Sequence, residues 1–294
     1  MNSVNHHYVP KFYLQGFTSD NGRLQVYNKT FCKFERDKHT PKTVLFEKNL
    51  NTIKMKGKLT DDLEKLYGYI ETEFSEYISL IRSRKINDEI ISKEGISLLK
   101  QYIAFQFWRL PCYDAYADEY IASLDLSKFG EILIINENYV GKTKNIKEML
   151  KSDSGFKHYF RCFILPLISF DFTLKDDDLS KWKYHQINDG GWNNLPCSDN
   201  PLLIESFTEV HSFNTKIIFP VSNTQLISYS PDAIKSRTFD ATFTTKLCML
   251  IYAQANKYFI GTNKEQMKKV IDLHEKNPAF HSIILLKKDV FDSL

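Results

Sequence analysis

Residues 51–81, NTIKMKGKLTDDLEKLYGYIETEFSEYISLI, change their period in the middle. Up to residue 58, Ile53 and Met55 alternate with Lys54, Lys56 and Lys58, the two-residue repeat of a strand with one wet face. From Thr60 onward, Leu63, Leu66, Ile70, Phe74, Ile78 and Ile81 recur at steps of three and four, which predicts an amphipathic helix. Thr60 is placed to cap that helix, with Asp61 and Asp62 in the first turn, where acids complement the helix dipole.

Working outward, RLQVYN (23–28) follows the turn signal SDNG and predicts another strand. A second long helix is predicted from Ser92 through GISLLKQYIAFQFWR until Pro111 forbids continuation, with Ile96, Leu99, Ile103 and Phe107 as its buried stripe. Residues 113–124 and 144–165 read as further helix. From Trp182 the short runs WKYHQI, LLIES, TKIIFPV, QLISYS, KYFIGT and HSIILLKK read as strands, with one helix at 264–277 between them. Strands at both ends around a helical region of about 60–165 predict a single α+β domain over 1–294. Its sheet, mixed or antiparallel, comes from the N- and C-terminal thirds. The alternative is two domains divided at the charged stretch LKDDDLSK, 174–181.

Composition narrows the function classes. With 43% hydrophobic and 26% charged residues the chain has apolar material for a full core, which argues against disorder. A formal net charge of +3 is too small to indicate nucleic acid by charge alone. The longest apolar runs, FILPLISF (163–170) and LCMLIYA (247–253), fall short of the roughly 20 residues of a membrane crossing. The opening MNSVNHHYVPKF lacks the pattern of a targeting peptide. Five scattered cysteines without a C-x-x-C pair point to a reducing, cytoplasmic setting. Cys197 alone lies near other polar candidates, and as a nucleophile it would need a distant histidine and a depressed pKa.

Three polar elements stand out. His6 and His7 precede Tyr8 and Pro10; in extended chain their side chains point to opposite faces, so one of them is expected to face a site. Gln106 and Arg109 are three residues apart on the second helix beside Tyr102, where a guanidinium can hold a phosphate or carboxylate. The competing role for Arg109 is an ion pair with Glu64 or Glu71 of the preceding helix. In PCSDNP (196–201), Asp199 reads either as an Asx turn bonding its own backbone or as a projecting carboxylate flanked by Ser198 and Asn200. None of the spacings matches a familiar metal motif.

The segments NHHYVPKFYLQGF, IAFQFWRLP, CSDNPLLI and IIFPVSNTQLISY, in this order, resemble a widespread bacterial family catalogued as domain of unknown function 4238. The likeness runs over nearly the whole chain, and IETEF around Glu71 looks like a further family element. The resemblance implies that His6, His7, Gln106, Arg109 and the Ser198–Asn200 turn share one pocket, and it carries no settled activity. Its members in bacteria and mobile elements associate it with stress or phage defence.

The expected function is metal-assisted phosphodiester hydrolysis of a nuclease kind. Asp199 and Glu71 would hold Mg²⁺ or Mn²⁺, His6 or His7 would act as base, and Arg109 would clamp the phosphate. Tyr102, Gln106, Ser198 and Asn200 would contact substrate. The rival expectations are a non-catalytic module binding an anionic small molecule or nucleotide, and a structural partner in a multiprotein system.

Overall fold

The period change near residue 60 marks a change of architecture. A computed structural model describes residues 4–36, 39–55, 58–83, 91–129, 131–132, 135–136, 139–140, 144–175, 177–187, 194–232 and 239–294. The first long helix is Asp62–Ser83, and the hydroxyl of Thr60 accepts a hydrogen bond from the Asp62 amide (3.2 Å). Leu63, Phe74, Ile78 and Ile81 of the expected stripe are buried, joined by Tyr67 and Tyr77, while Leu66 and Ile70 are only partly covered. The second long helix is Lys93–Arg109, capped by Ser92, whose Oγ accepts from the Gly95 amide (3.0 Å). All four stripe residues are fully buried, and every residue from Tyr102 to Arg109 is buried with them.

Around these helices lie antiparallel sheets built from both ends of the chain, so the fold is α+β. One four-stranded sheet has the order Cys197–Ser198, Tyr258–Gly261, Gln25–Asn28, Lys33–Phe34. It joins the N-terminal third directly to the C-terminal third. The other has the order Trp182–Gln186, Gln225–Tyr229, Ile217–Ser222, Leu203–Ile204. The opening segment Asn5–His7 pairs with Phe46–Lys48, with His6 opposite Glu47 and His7 opposite Phe46. One continuous apolar core runs from Tyr8 through both long helices to Ile260.

Three sequence expectations are corrected. Residues 51–58 do not form one strand: Ile53–Met55 and Lys58–Thr60 are two short strands paired antiparallel. HSIILLKK is not a strand but opens the helix Ile283–Phe291, with the Ser282 Oγ accepting from the Leu285 amide (3.4 Å). Leu286 and Val290, four apart, are buried while Ile284 and Leu285 face solvent, so burial follows the helical period that a short apolar run conceals. Residues Ala241–Gln254, containing the apolar stretch LCMLIYA, form a second unexpected helix, capped by Asp240.

The N-terminal helix Lys11–Gln15 is fastened by one side chain of the first long helix. Arg82 donates from Nη1 to the Phe12 carbonyl (2.9 Å), from Nη2 to the Tyr13 carbonyl (2.9 Å) and from Nε to the Val221 carbonyl (2.8 Å). Burial lowers the Arg82 pKa to about 10, and the fork of donors matches carbonyls that a lysine would reach singly. A Cβ on Gly16 would overlap both the guanidinium and the Val221 carbonyl, so glycine is required there for close approach. Arg82→Met is expected to lower unfolding stability by about 3 kcal/mol, since three carbonyls lose a charged donor. Gly16→Ala is expected to destabilise in the same direction, and urea denaturation of both variants is the measurement.

Candidate functional site

Arg109 is the centre of a buried polar cluster between the two long helices. Its guanidinium pairs with Glu71 through Nη1 and lies over the Tyr67 ring, 4.1 Å from the centroid. Burial opposes its charge, but Glu71, Tyr67 and Glu64 outweigh that and hold it well above the usual guanidinium pKa. Of the two roles weighed for Arg109, the ion pair with the preceding helix is thus the one observed, and Glu71 is the partner. Its Nε has no hydrogen-bond partner among the described residues.

One turn earlier, Gln106 donates to the main-chain carbonyl of Tyr8 (2.8 Å) and accepts from the Tyr102 hydroxyl (3.2 Å). The glutamine thereby anchors the HHYVP segment onto the helix. His6 accepts at Nδ1 from the Asn51 amide (2.8 Å), and Asn51 Nδ2 donates to Glu64 (2.7 Å). His7 is turned the other way, its ring against Phe46 (5.5 Å between centroids). Burial first, then the charges of Lys11 and Arg109, lowers the His7 pKa to about 4, so its imidazole is neutral at physiological pH. The Nε2 atoms of both histidines are buried without a hydrogen-bond partner among the described residues.

This cluster reaches solvent at Glu71, whose side chain is 24% exposed. Glu71 lines an open cleft of about 730 Å³ between the N-terminal helix, the loop around Pro41 and the first long helix. Lys11, Gln15, Thr40, Lys42 and Thr72 are among its other polar residues.

Asp199 sits elsewhere. Its Oδ1 accepts from the Asn256 amide (2.8 Å) and its Oδ2 from the amides of Lys257 (2.7 Å) and Tyr258 (3.1 Å). Burial raises its pKa, against the pull of those three amides. Ser198 Oγ accepts from the Asn200 amide (3.2 Å) and donates to the Asn200 carbonyl (2.9 Å), while Asn200 Oδ1 accepts from the Tyr113 hydroxyl (2.8 Å). Ser198 and Asn200 are therefore spent on the turn and its neighbours. Cys197 is buried, which pushes its thiol far above the ordinary range and removes it as a nucleophile.

The three signature segments nevertheless meet, with the expected Asp199 but without the expected histidines and Arg109. Tyr8 of the first, Pro111 of the second and Asp199 of the third line one niche of about 160 Å³. Among the described residues no three His, Cys, Asp or Glu side chains are grouped to hold a metal ion. Sequence reasoning passed over Glu64, Asn51, Lys11 and Lys257 as site residues; only Glu64, spaced seven from Glu71 on one helix face, left a readable signal.

Replacing Glu71 by Gln is expected to cost about 3 kcal/mol in urea denaturation, because the buried guanidinium loses its counter-charge. The double variant Glu71→Gln with Arg109→Gln is expected to recover part of that loss. A second expectation concerns pH. The His7 pKa is depressed, so its contribution to stability is complete above about 6.5 and is lost as pH falls toward 4. The wild-type urea midpoint should fall over that window, and His7→Gln should remove about 2 kcal/mol of the pH dependence between pH 7 and 4.5.

Among the described residues no helix is long and apolar enough to cross a membrane. No curated protein and no solved structure matches the chain. The family model described as "Protein of unknown function (DUF4238)" matches residues 5–158, which takes in the HHYVP segment and Gln106–Pro111 and stops short of the Ser198–Pro201 turn. The chain belongs to that family.

Proposed function

We propose that the 730 Å³ cleft binds a phosphate-bearing ligand, a nucleotide or a nucleic-acid strand. The observation that carries this reading is the charge pattern of its wall. Lys11 and Lys42 are exposed there with no ion-pair partner among the described residues, whereas Glu71 is already neutralised by Arg109. An anion entering the cleft meets two free ammonium groups, and Thr40, Thr72 and Gln15 supply hydrogen bonds to ligand hydroxyls. Five free cysteines support a cytoplasmic setting for such a protein.

Hydrolysis of a phosphodiester is the second reading, favoured by the placement of Glu64, Glu71 and the neutral His7 around Arg109. Mg²⁺ and Mn²⁺ need only one or two carboxylates when substrate phosphate and water complete the shell, a part open to Glu71. Asp199 has no share in this reading, because it lines the separate niche and not the cleft that Glu71 lines.

Binding of ATP and of a single-stranded oligonucleotide to the full chain, measured by calorimetry at two salt concentrations, tests the proposal. Saturable binding that weakens with salt and drops about tenfold in Lys11→Ala/Lys42→Ala is expected, each contact being worth the order of 1 kcal/mol. Absence of binding to both ligands removes the proposal. Incubation with DNA and RNA in Mg²⁺, Mn²⁺ or EDTA decides the hydrolytic reading: cleavage that EDTA and His7→Gln abolish supports it, and intact substrate throughout rejects it.

A further inference from the structure

The niche where the three signature segments meet has a chemistry distinct from the cleft. Its volume of about 160 Å³ is room for roughly five waters at ~30 Å³ each. Tyr8 is only 8% exposed, lines the niche, and has no hydrogen-bond partner for its hydroxyl among the described residues. Asp199 and Glu47 bring two carboxylates to the walls against the single ammonium of Lys257. Asp199 Oδ1 accepts one amide bond where Oδ2 accepts two, so Oδ1 keeps a lone pair free. Lys257 Nζ lies 4.9 Å from the centroid of Tyr258, another wall residue, so an ammonium already rests on an aromatic face there.

We propose that this niche receives the alkylammonium end of a ligand, a primary or methylated amine, against the Tyr8 and Tyr258 side chains with Asp199 and Glu47 as counter-charges. Aromatic faces beside carboxylates attract a large, weakly hydrated cation by ring quadrupole and charge together. A bare metal ion is a poorer occupant, since no three ligating side chains are grouped among the described residues. The local field has the required sign: after burial itself, the Asp199 charge is the next cause that raises the Tyr8 phenol and pushes the Cys112 thiol up to about 12. Lys257 acts as a resident competitor for the same ring.

Calorimetric titration of the full chain with n-butylammonium, with neutral n-pentanol as control, tests this. Saturable binding of the amine and none of the alcohol is expected. Lys257→Met should tighten it about fivefold by removing the resident ammonium, and Glu47→Gln and Tyr8→Leu should each weaken it about threefold, the scale of one cation–π or exposed charge contact. A terminally blocked lysine peptide distinguishes the sources: tighter binding than the free amine assigns the group to a protein side chain, weaker binding to a small amine. Circular dichroism confirms that each variant is folded. The proposal falls if neither wild type nor Lys257→Met binds the amine, or if n-pentanol binds as tightly.

Discussion

A guanidinium removed from water must be given charge and hydrogen bonds by its neighbours, and the arrangement around Arg109 follows from that requirement. Glu71 meets it from the first long helix and Tyr67 covers the cation's face, which together fix how the two long helices face each other. With the second helix so oriented, Gln106 one turn back presents its amide to the Tyr8 carbonyl. Pro10, with its fixed φ, continues from that anchored point into the N-terminal helix that Arg82 clamps. The HHYVP segment is thus held along a line of specific polar contacts.

Asp199 solves a similar problem by the opposite route. Its charge is buried with no ion-pair partner among the described residues, and most of the compensation comes from three consecutive main-chain amides at 256–258, with Lys29 adding a weaker charge effect. This binds the Ser198–Pro201 turn to the start of the strand Tyr258–Gly261, which is hydrogen-bonded in turn to Gln25–Asn28. The carboxylate therefore shapes the niche wall, which it shares with Tyr8, Glu47, Lys257 and Tyr258.

The helices around the polar cluster were legible because amphipathic periodicity and caps are local signals. Leu63, Phe74, Ile78 and Ile81 repeat at helical spacing, and Ser92 stands where the second helix starts. The helices Ala241–Gln254 and Ile283–Phe291 were missed because unbroken apolar runs such as LCMLIYA and IILL fit a buried strand equally well. In the site, the pairing of Arg109 with Glu71 was readable as one of two options from the shared face of a helix. The partners of Asp199 were not, since they are backbone amides more than fifty residues away and any residue type supplies an amide.

The same logic explains why three short signatures meet at one niche while their charged side chains part company. Strand alternation sends His6 and His7 to opposite sides of the opening segment, His6 toward Asn51 and His7 toward Phe46. Phe46 is shared: its ring packs on His7, and the residue also lines the niche beside Tyr8. The two chambers differ in sign: the cleft is rimmed by Lys11 and Lys42, whereas the niche, to which the HHYVP segment contributes Tyr8, is lined by Asp199 and Glu47. A neutral His7 fits that position, because an imidazolium buried beside Lys11 and Arg109 would add a third positive charge that Glu64 offsets only in part.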